Sequence, residues 1–239
     1  MYLKRMNIYF LLMEADMALV QIENVTKIYQ TGDIEITALS DINLSIEKSA
    51  FVSFVGPSGS GKTTMLNMIG CLDKPTQGKI IVDGKQVDNF NRQKRAAFRG
   101  SVIGFIFQSF NLFPVLTAYE NIEYPLAMIK NEPAKERKEK IFAILESVNM
   151  LDQKDKFPDQ LSGGQKQRVA VARALITQPK LVMADEPTAN LDKKSSINVI
   201  RLMRDMKDKF GTTFIFSTHD PRIMEEAEIT YTLDDGKLL

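Results

Sequence analysis

Gly56-Pro57-Ser58-Gly59-Ser60-Gly61-Lys62-Thr63 is the stretch whose residue types and spacing speak most directly of chemistry. Its glycines let the backbone fold tightly, so that successive N–H groups point inward at phosphate oxygens. Lys62 is placed to reach β- and γ-phosphates, and the Thr63 hydroxyl to ligate Mg²⁺. The pattern carries meaning only between a strand and a helix. Phe51-Val52-Ser53-Phe54-Val55 is an apolar run before it, and Met65-Leu66-Asn67-Met68-Ile69 follows with helical spacing. The positive end of that helix adds to the same spot. A glycine-rich surface turn is the bland alternative, and the flanking strand and helix favour a nucleotide site over it.

Further polar groups stand at the ends of apolar runs. Leu181-Val182-Met183-Ala184 leads into Asp185-Glu186, and Thr212-Thr213-Phe214-Ile215-Phe216 leads into Ser217-Thr218-His219. Such unbroken runs suit parallel strands covered on both faces. In open α/β sheets ligands sit at the carboxyl ends of strands, so Asp185, Glu186 and His219 are expected to converge on the phosphate loop. Asp185 is suited to hold Mg²⁺ opposite Thr63, and Glu186 to orient or deprotonate the attacking water. Two adjacent acids before Pro187 also fit a helix N-cap. His219 is the only histidine in the chain. An isolated histidine is more often structural, and its place at a strand end favours function.

The elements that must position these groups are legible in outline. With 239 residues, one large domain or two small lobes fit, and 44% hydrophobic with 26% charged residues is a globular balance. A net charge of +1 asks for no nucleic-acid partner. One cysteine, Cys71, cannot pair internally; on the helix after the phosphate loop it reads as a buried small hydrophobe rather than a nucleophile. Residues 1–16 are expected to be a frayed extension or a misassigned start, with Met17 as the alternative start. Their apolar run is too short for a signal peptide or a membrane helix. Alternation at Ile42, Leu44 and Ile46 predicts half-buried strands, with a turn at Thr31-Gly32-Asp33 and another at Asp83-Gly84 after Lys79-Ile80-Ile81-Val82. Residues 92–99 are polar and basic. From Ser109 to Leu161 the periodicity is helical, and the mixed charges from Lys130 to Lys140 mark a solvated helix face. Phe110, Phe113 and Tyr119 read either as core or as a partner groove. Gly211 is expected to cap a helix before the last apolar strand.

Leu161-Ser162-Gly163-Gly164-Gln165, read together with the phosphate loop, Gln108, Leu181 to Glu186 and His219, resembles the nucleotide-binding subunit of ATP-binding-cassette transporters. The likeness covers residues 18–239, and Asp185-Glu186-Pro187-Thr188 and Ala189-Asn190-Leu191-Asp192 follow its order and spacing. It implies an α/β fold: a P-loop NTPase core, an antiparallel β layer and an α-helical subdomain inserted at about 109–165. It also implies roles. Tyr29 would stack on adenine, Gly56 to Thr64 would bind the phosphates, and Gln108 would sense Mg²⁺ and the γ-phosphate. Ser162, Gly163, Gly164 and Gln165 would touch ATP held by a second copy, with Asp192 at that interface. A serine hydroxyl, glycine N–H groups and a helix N-terminus suit such charge. Catalysis by Glu186, His219 and Gln108 would then need an ATP-dependent homodimer.

Phe107-Gln108-Ser109-Phe110-Asn111-Leu112 and Leu116-Thr117-Ala118-Tyr119-Glu120-Asn121 look like the lipoprotein-releasing, macrolide-exporter and cell-division branch. That likeness implies transmembrane permease partners with periplasmic domains and a place on the cytoplasmic face of the membrane. The function implied is lipoprotein release or export of a hydrophobic or peptide substrate, with cell-wall regulation without transport as the alternative. Ser49-Ala50 and Thr63-Thr64 depart from the usual pattern without removing a needed group.

Overall fold

The computed structural model describes residues 18–239; the expected extension over residues 1–16 and the start at Met17 lie outside them. Two sheets carry the chain. Strands β1 (Val20–Thr31) and β2 (Ile34–Ile46) form a long antiparallel hairpin, closed at Gly32, whose φ is +62°. Strand β4 (Gln77–Val82) pairs with the other edge of β1, and β5 (Lys85–Gln86) pairs with β4. The connection between β4 and β5 is Asp83-Gly84, with φ of +51° and +71°, the left-handed pair whose twist matches a tight hairpin.

The second sheet runs β10-β9-β3-β8-β7-β6. Strands β3 (Phe51–Val55), β6 (Ile103–Ile106), β7 (Leu181–Ala184), β8 (Thr213–Thr218) and β9 (Ile229–Asp234) are parallel, and β10 (Lys237–Leu238) turns back along β9. Every residue of β3, β7 and β8 is buried, as their apolar runs require. The two-residue period of a strand then divides each of them between two cores. Phe51, Val182, Ala184, Phe214 and Phe216 face a core shared with the helices. Val52, Phe54, Leu181, Met183 and Ile215 face a core closed by the antiparallel sheet.

Helix α1 (Lys62–Ile69) follows the phosphate loop and fills that second core with Met65, Leu66, Met68 and Ile69. The basic stretch over residues 92–99, to which the sequence reading assigned no element, lies in helix α2 (Arg92–Val102). Asn91 caps it through the Lys94 N–H, and Phe98 and Val102, one turn apart, bury a face that the many charges hide from a periodicity count. Between β6 and β7 the described residues hold only helices and loops: α3 (Ala118–Pro125), a π turn (Leu126–Lys130), α4 (Ala134–Ser147), two 3₁₀ turns (Leu151–Gln153 and Pro158–Gln160) and α5 (Gly163–Leu175). The charged segment 130–140 is mostly exposed, with Arg137 on Glu123 at 2.9 Å and Lys140 on Glu132 at 2.7 Å. Helix α6 (Lys193–Phe210) ends on Gly211, whose φ of +64° makes the expected left-handed cap. Helix α7 (Pro221–Met224) leads to β9.

Cys71 does not lie on α1; it follows the Gly70 cap in a left-handed conformation, with φ +56°. It is 1% exposed, and burial pushes its thiol up to about 11 despite the nearby Arg99 and Arg95. Because the raised value disfavours the thiolate, Cys71 should resist iodoacetamide in the native protein at about pH 8 and label readily once unfolded in guanidinium. Fast labelling of the native chain would contradict its role as a buried hydrophobe.

Candidate functional site

The phosphate loop spans the gap between β3 and α1 and is clasped from two sides. Gly56 has φ +145°, and a Cβ there would lie 2.0 Å from the Leu233 carbonyl oxygen. Gly61 has φ +103°, and its Cβ would lie 2.6 Å from the Ala38 carbonyl oxygen. Only glycine fits either place. The clasp is closed by backbone bonds: Gly236 N–H donates to the Ser60 carbonyl at 3.2 Å, and Ser40 N–H to the Gly236 carbonyl at 2.8 Å. Pro57, Ser58 and Gly59 are exposed at the crest.

Inside this loop lie two polar groups that ask for a partner. Lys62 is 6% exposed, and its ammonium donates to the carbonyl oxygens of Gly56 at 2.9 Å and Pro57 at 2.7 Å. An ammonium has three donors and a charge that two carbonyls do not neutralise. The Ser60 hydroxyl is buried and has no hydrogen-bond partner among the described residues. A polyanion fits this set, and Thr64 follows it in the first turn of α1.

Strand β8 lies between β3 and β7, so three neighbouring strands end beside the loop. Asp185, just past β7, continues the ladder by donating its N–H to the Ile106 carbonyl at 3.2 Å. Thr63 Oγ1 donates to both oxygens of Asp185, at 3.2 and 3.0 Å. The two residues expected to face each other across Mg²⁺ are in direct contact. A hydroxyl and a carboxylate are the hard oxygen donors that Mg²⁺ takes, and that ion binds through few protein ligands. Among the described residues no cluster of three or more His, Cys, Asp or Glu side chains offers a different metal site.

Glu186 follows with φ +42°, and its Oε1 is 3.1 Å from His219 Nδ1. The helix N-cap alternative for the two acids fails. After Glu186 the chain turns, with Ala189 N–H on the Glu186 carbonyl at 3.2 Å, and the next helix is α6, capped by Asp192. Bonds from the Ser195 side chain and backbone hold the Asp192 carboxyl below its ordinary value. Ser217, outside the expected set of site residues, joins them. Its buried hydroxyl donates to Asp185 Oδ1 at 2.6 Å and accepts from Glu186 N–H at 2.8 Å. The available signal was a lone hydroxyl closing an apolar strand at the level of Asp185.

Tyr29 on β1 is 36% exposed and anchored beyond α1. Its hydroxyl donates to Asp73 at 2.8 Å, and Lys27, itself 2.9 Å from Asp73, lies 4.6 Å from the ring centroid. Burial and the Asp73 bond together raise the Tyr29 phenol. Gln108 is exposed after β6, and its carbonyl accepts from Asn190 Nδ2 at 3.0 Å, which ties it to the turn after Glu186. Ser162 is exposed at the start of α5, where its hydroxyl and Gln165 form a reciprocal capping box. That cap starts the helix at Gly163, ahead of the expected Lys166, and turns the Gln165 carbonyl oxygen back on its own helix. Gly163 and Gly164 lie close to α6: a Cβ would be 3.1 Å from Leu191 Cδ2 and 3.3 Å from Ser195 Oγ respectively. The structure thus gathers the phosphate loop, Asp185, Glu186 and His219 at one place. Gln108 joins through Asn190, and Ser162 to Gln165 pack beside α6 instead.

Beyond Gln108, Phe113 is 41% exposed and lines an apolar groove with Phe105, Phe107, Tyr124 and Ile129. Its neighbours differ. Leu112 and Tyr119 pack against the helical core, and the Phe110 carbonyl accepts from Arg173 at 2.8 Å. Asn121, fully buried, holds the loop by donating to the carbonyls of Phe113, Leu116 and Thr117 and accepting from Phe113 N–H.

A family profile described as ABC transporter matches residues 39–189. The lipoprotein-releasing system ATP-binding protein LolD of Francisella tularensis is 43% identical over 216 residues, covering 90% of this chain and 94% of that protein. The macrolide export ATP-binding/permease protein MacB of Brucella melitensis is 41% identical over 221 residues, covering 92% of this chain and 34% of that longer protein. Among solved structures, a dimeric post-hydrolysis state of the ATP-binding cassette MJ0796, bound to ADP and Pi, matches with a TM-score of 0.83 and 41% identity. The match covers 92% of this chain and 96% of that one, which comes from Methanocaldococcus jannaschii. A clasped phosphate loop, an acidic pair at the end of its neighbouring strands and these likenesses lead to one conclusion: the chain belongs to the ABC transporter family, as an ATPase domain.

Proposed function

We propose that the chain is the ATP-hydrolysing subunit of a bacterial transport complex, working as a pair on the cytoplasmic face of a membrane. The observation that carries this reading is the meeting of Thr63, Asp185 and Glu186 beside a buried, under-neutralised Lys62. Lys62 would exchange the Gly56 and Pro57 carbonyls for β- and γ-phosphate oxygens, and Ser60 would gain the partner it lacks. Thr63 and Asp185, with Gln108, would hold Mg²⁺, which supplies charge neutralisation at the phosphates. Glu186 would orient the water and accept its proton, while His219, hydrogen-bonded to it, fixes the carboxylate. Tyr29 would cover the base.

Ser162 and the α5 N-terminus are exposed and lie beside α6 rather than over the loop. They would therefore complete the site of a second copy, as the dimeric form of the MJ0796 cassette supports. No described helix is long and apolar enough to cross a membrane. Motion at the site would be passed to a permease. The groove at Phe113 would receive a short amphipathic helix of a permease. The names of LolD, a lipoprotein-releasing protein, and MacB, a macrolide export ATP-binding/permease protein, support a permease partner and lipoprotein release or export of a hydrophobic or peptide substrate. Periplasmic domains on that permease are part of the proposal.

Glu186→Gln should keep ATP bound and lose turnover by on the order of a hundredfold or more. Lys62→Ala should weaken nucleotide binding itself, by on the order of tenfold to a hundredfold. Steady-state hydrolysis with bound-nucleotide titration reads both, and light scattering of Glu186→Gln with Mg-ATP should show the dimer. Normal turnover in Glu186→Gln removes that residue from its role.

Phe113→Asp should leave hydrolysis by the isolated subunit nearly intact, since the ring is half exposed and packs on Tyr124 rather than within the core. Co-purification with the permease and the permease's effect on hydrolysis should both be lost. A melting curve beside the pull-down distinguishes this from unfolding, and a stable variant that still binds and responds to its partner would sink the groove assignment.

A further inference from the structure

Ser217 is fully buried at the end of β8, in register beyond the pair Ala184 and Phe216 and beside Phe54 of the phosphate-loop strand. It stands between the strand that delivers the loop and the strand that delivers the acids. Its hydroxyl is saturated in one sense only. The proton goes to Asp185 Oδ1 at 2.6 Å, and a lone pair receives the Glu186 N–H at 2.8 Å. Asp185 Oδ1 also accepts from Thr63, at a longer 3.2 Å. The Ser217 bond is thus the shorter of the two.

Glu186 needs such support. Its φ of +42° lies in the left-handed region that a side-chain-bearing residue seldom occupies, and such a backbone persists only where its surroundings over-determine it. One side-chain atom here pins both the carboxylate on the Thr63 side and the peptide that aims the Glu186 carboxylate toward His219.

We propose that Ser217 is the positioning residue of the hydrolytic site, setting Asp185 and Glu186 in one fixed relation before nucleotide arrives. Fully buried, it acts through these two acids, so the proposal rests on the roles given to them above. Because the loop, Lys62 and Tyr29 do not depend on it, its loss should fall on turnover and spare nucleotide capture.

Ser217→Ala removes both bonds and leaves the Glu186 N–H without its acceptor. The kcat should fall on the order of tenfold to a hundredfold, with KM for ATP changed by no more than about twofold. In nucleotide-free protein, hydrogen–deuterium exchange should show the Glu186 amide opening on the order of tenfold faster or more, with β3 and β6 unchanged. Ser217→Thr, which restores the hydroxyl, should recover both readouts. Ser217→Cys, similar in size but a weak hydrogen-bonding group, should behave as the alanine variant does. Parental kcat and exchange in Ser217→Ala or Ser217→Cys, alongside an inactive Glu186→Gln, overturn the proposal and leave the acids' roles standing. So does a loss in which KM, melting temperature and distant amides all move together, since that is general loosening. Normal turnover in Glu186→Gln instead overturns the assignment on which the proposal is built.

Discussion

A buried ammonium with too little negative charge around it is the constraint on which the rest of this structure turns. Lys62 is almost wholly covered, yet its partners are two loop carbonyls rather than a carboxylate. Burying an ion in that state costs several kcal/mol unless something more compensates it. The chain keeps the arrangement by holding the loop from outside itself. The carbonyls of Ala38 and Leu233 press on positions where only hydrogen can stand, and Gly236 bonds to Ser60. A site that prepays this cost in the fold is ready for polyphosphate, because little has to reorganise when the charge arrives.

The two cores serve that readiness. Strands β3, β7 and β8 are buried on both faces, so they cannot shift without opening one core or the other. Their carboxyl ends are therefore fixed relative to one another, and Thr63, Asp185, Glu186 and Ser217 are the groups found there. Strand parity carries the chemistry further. Asp185 continues the face of Leu181 and Met183, the side on which α1 packs, and so meets Thr63.

The helical region answers a different need. Its core is continuous with the sheet through Ile106, Phe214 and Phe216, yet Gln108 and the Phe113 loop lie at its margin, exposed. Asn121 and Arg173 hold that loop through its backbone carbonyls, which leaves the Phe113 ring facing outward. A segment fixed by main-chain bonds can turn one ring away from the core, which is what the proposed permease contact at Phe113 requires.

Much of this was determined by the sequence alone. Gly56 to Thr63 between an apolar run and a helical one favours a phosphate loop over a surface turn, because its glycines let successive N–H groups converge at a helix N-terminus, and unbroken apolar runs ending in Asp185 and His219 suit buried parallel strands. Asp83-Gly84 and Gly211 named their turn and cap by residue type, since each tolerates the left-handed φ it adopts. What the tertiary structure decided depends on neighbours distant in the chain. Periodicity did not reveal α2, whose charges outnumber its two buried anchors, and Leu112 and Phe113 differ only in which way a loop held by Asn121 turns them. Cys71 left its helix because Gly70 ended it one residue earlier. Ser217 gains meaning only from sheet order: β8 had to fall between β3 and β7 before its hydroxyl could reach both acids, and strand order is set by packing across long loops rather than by any local pattern.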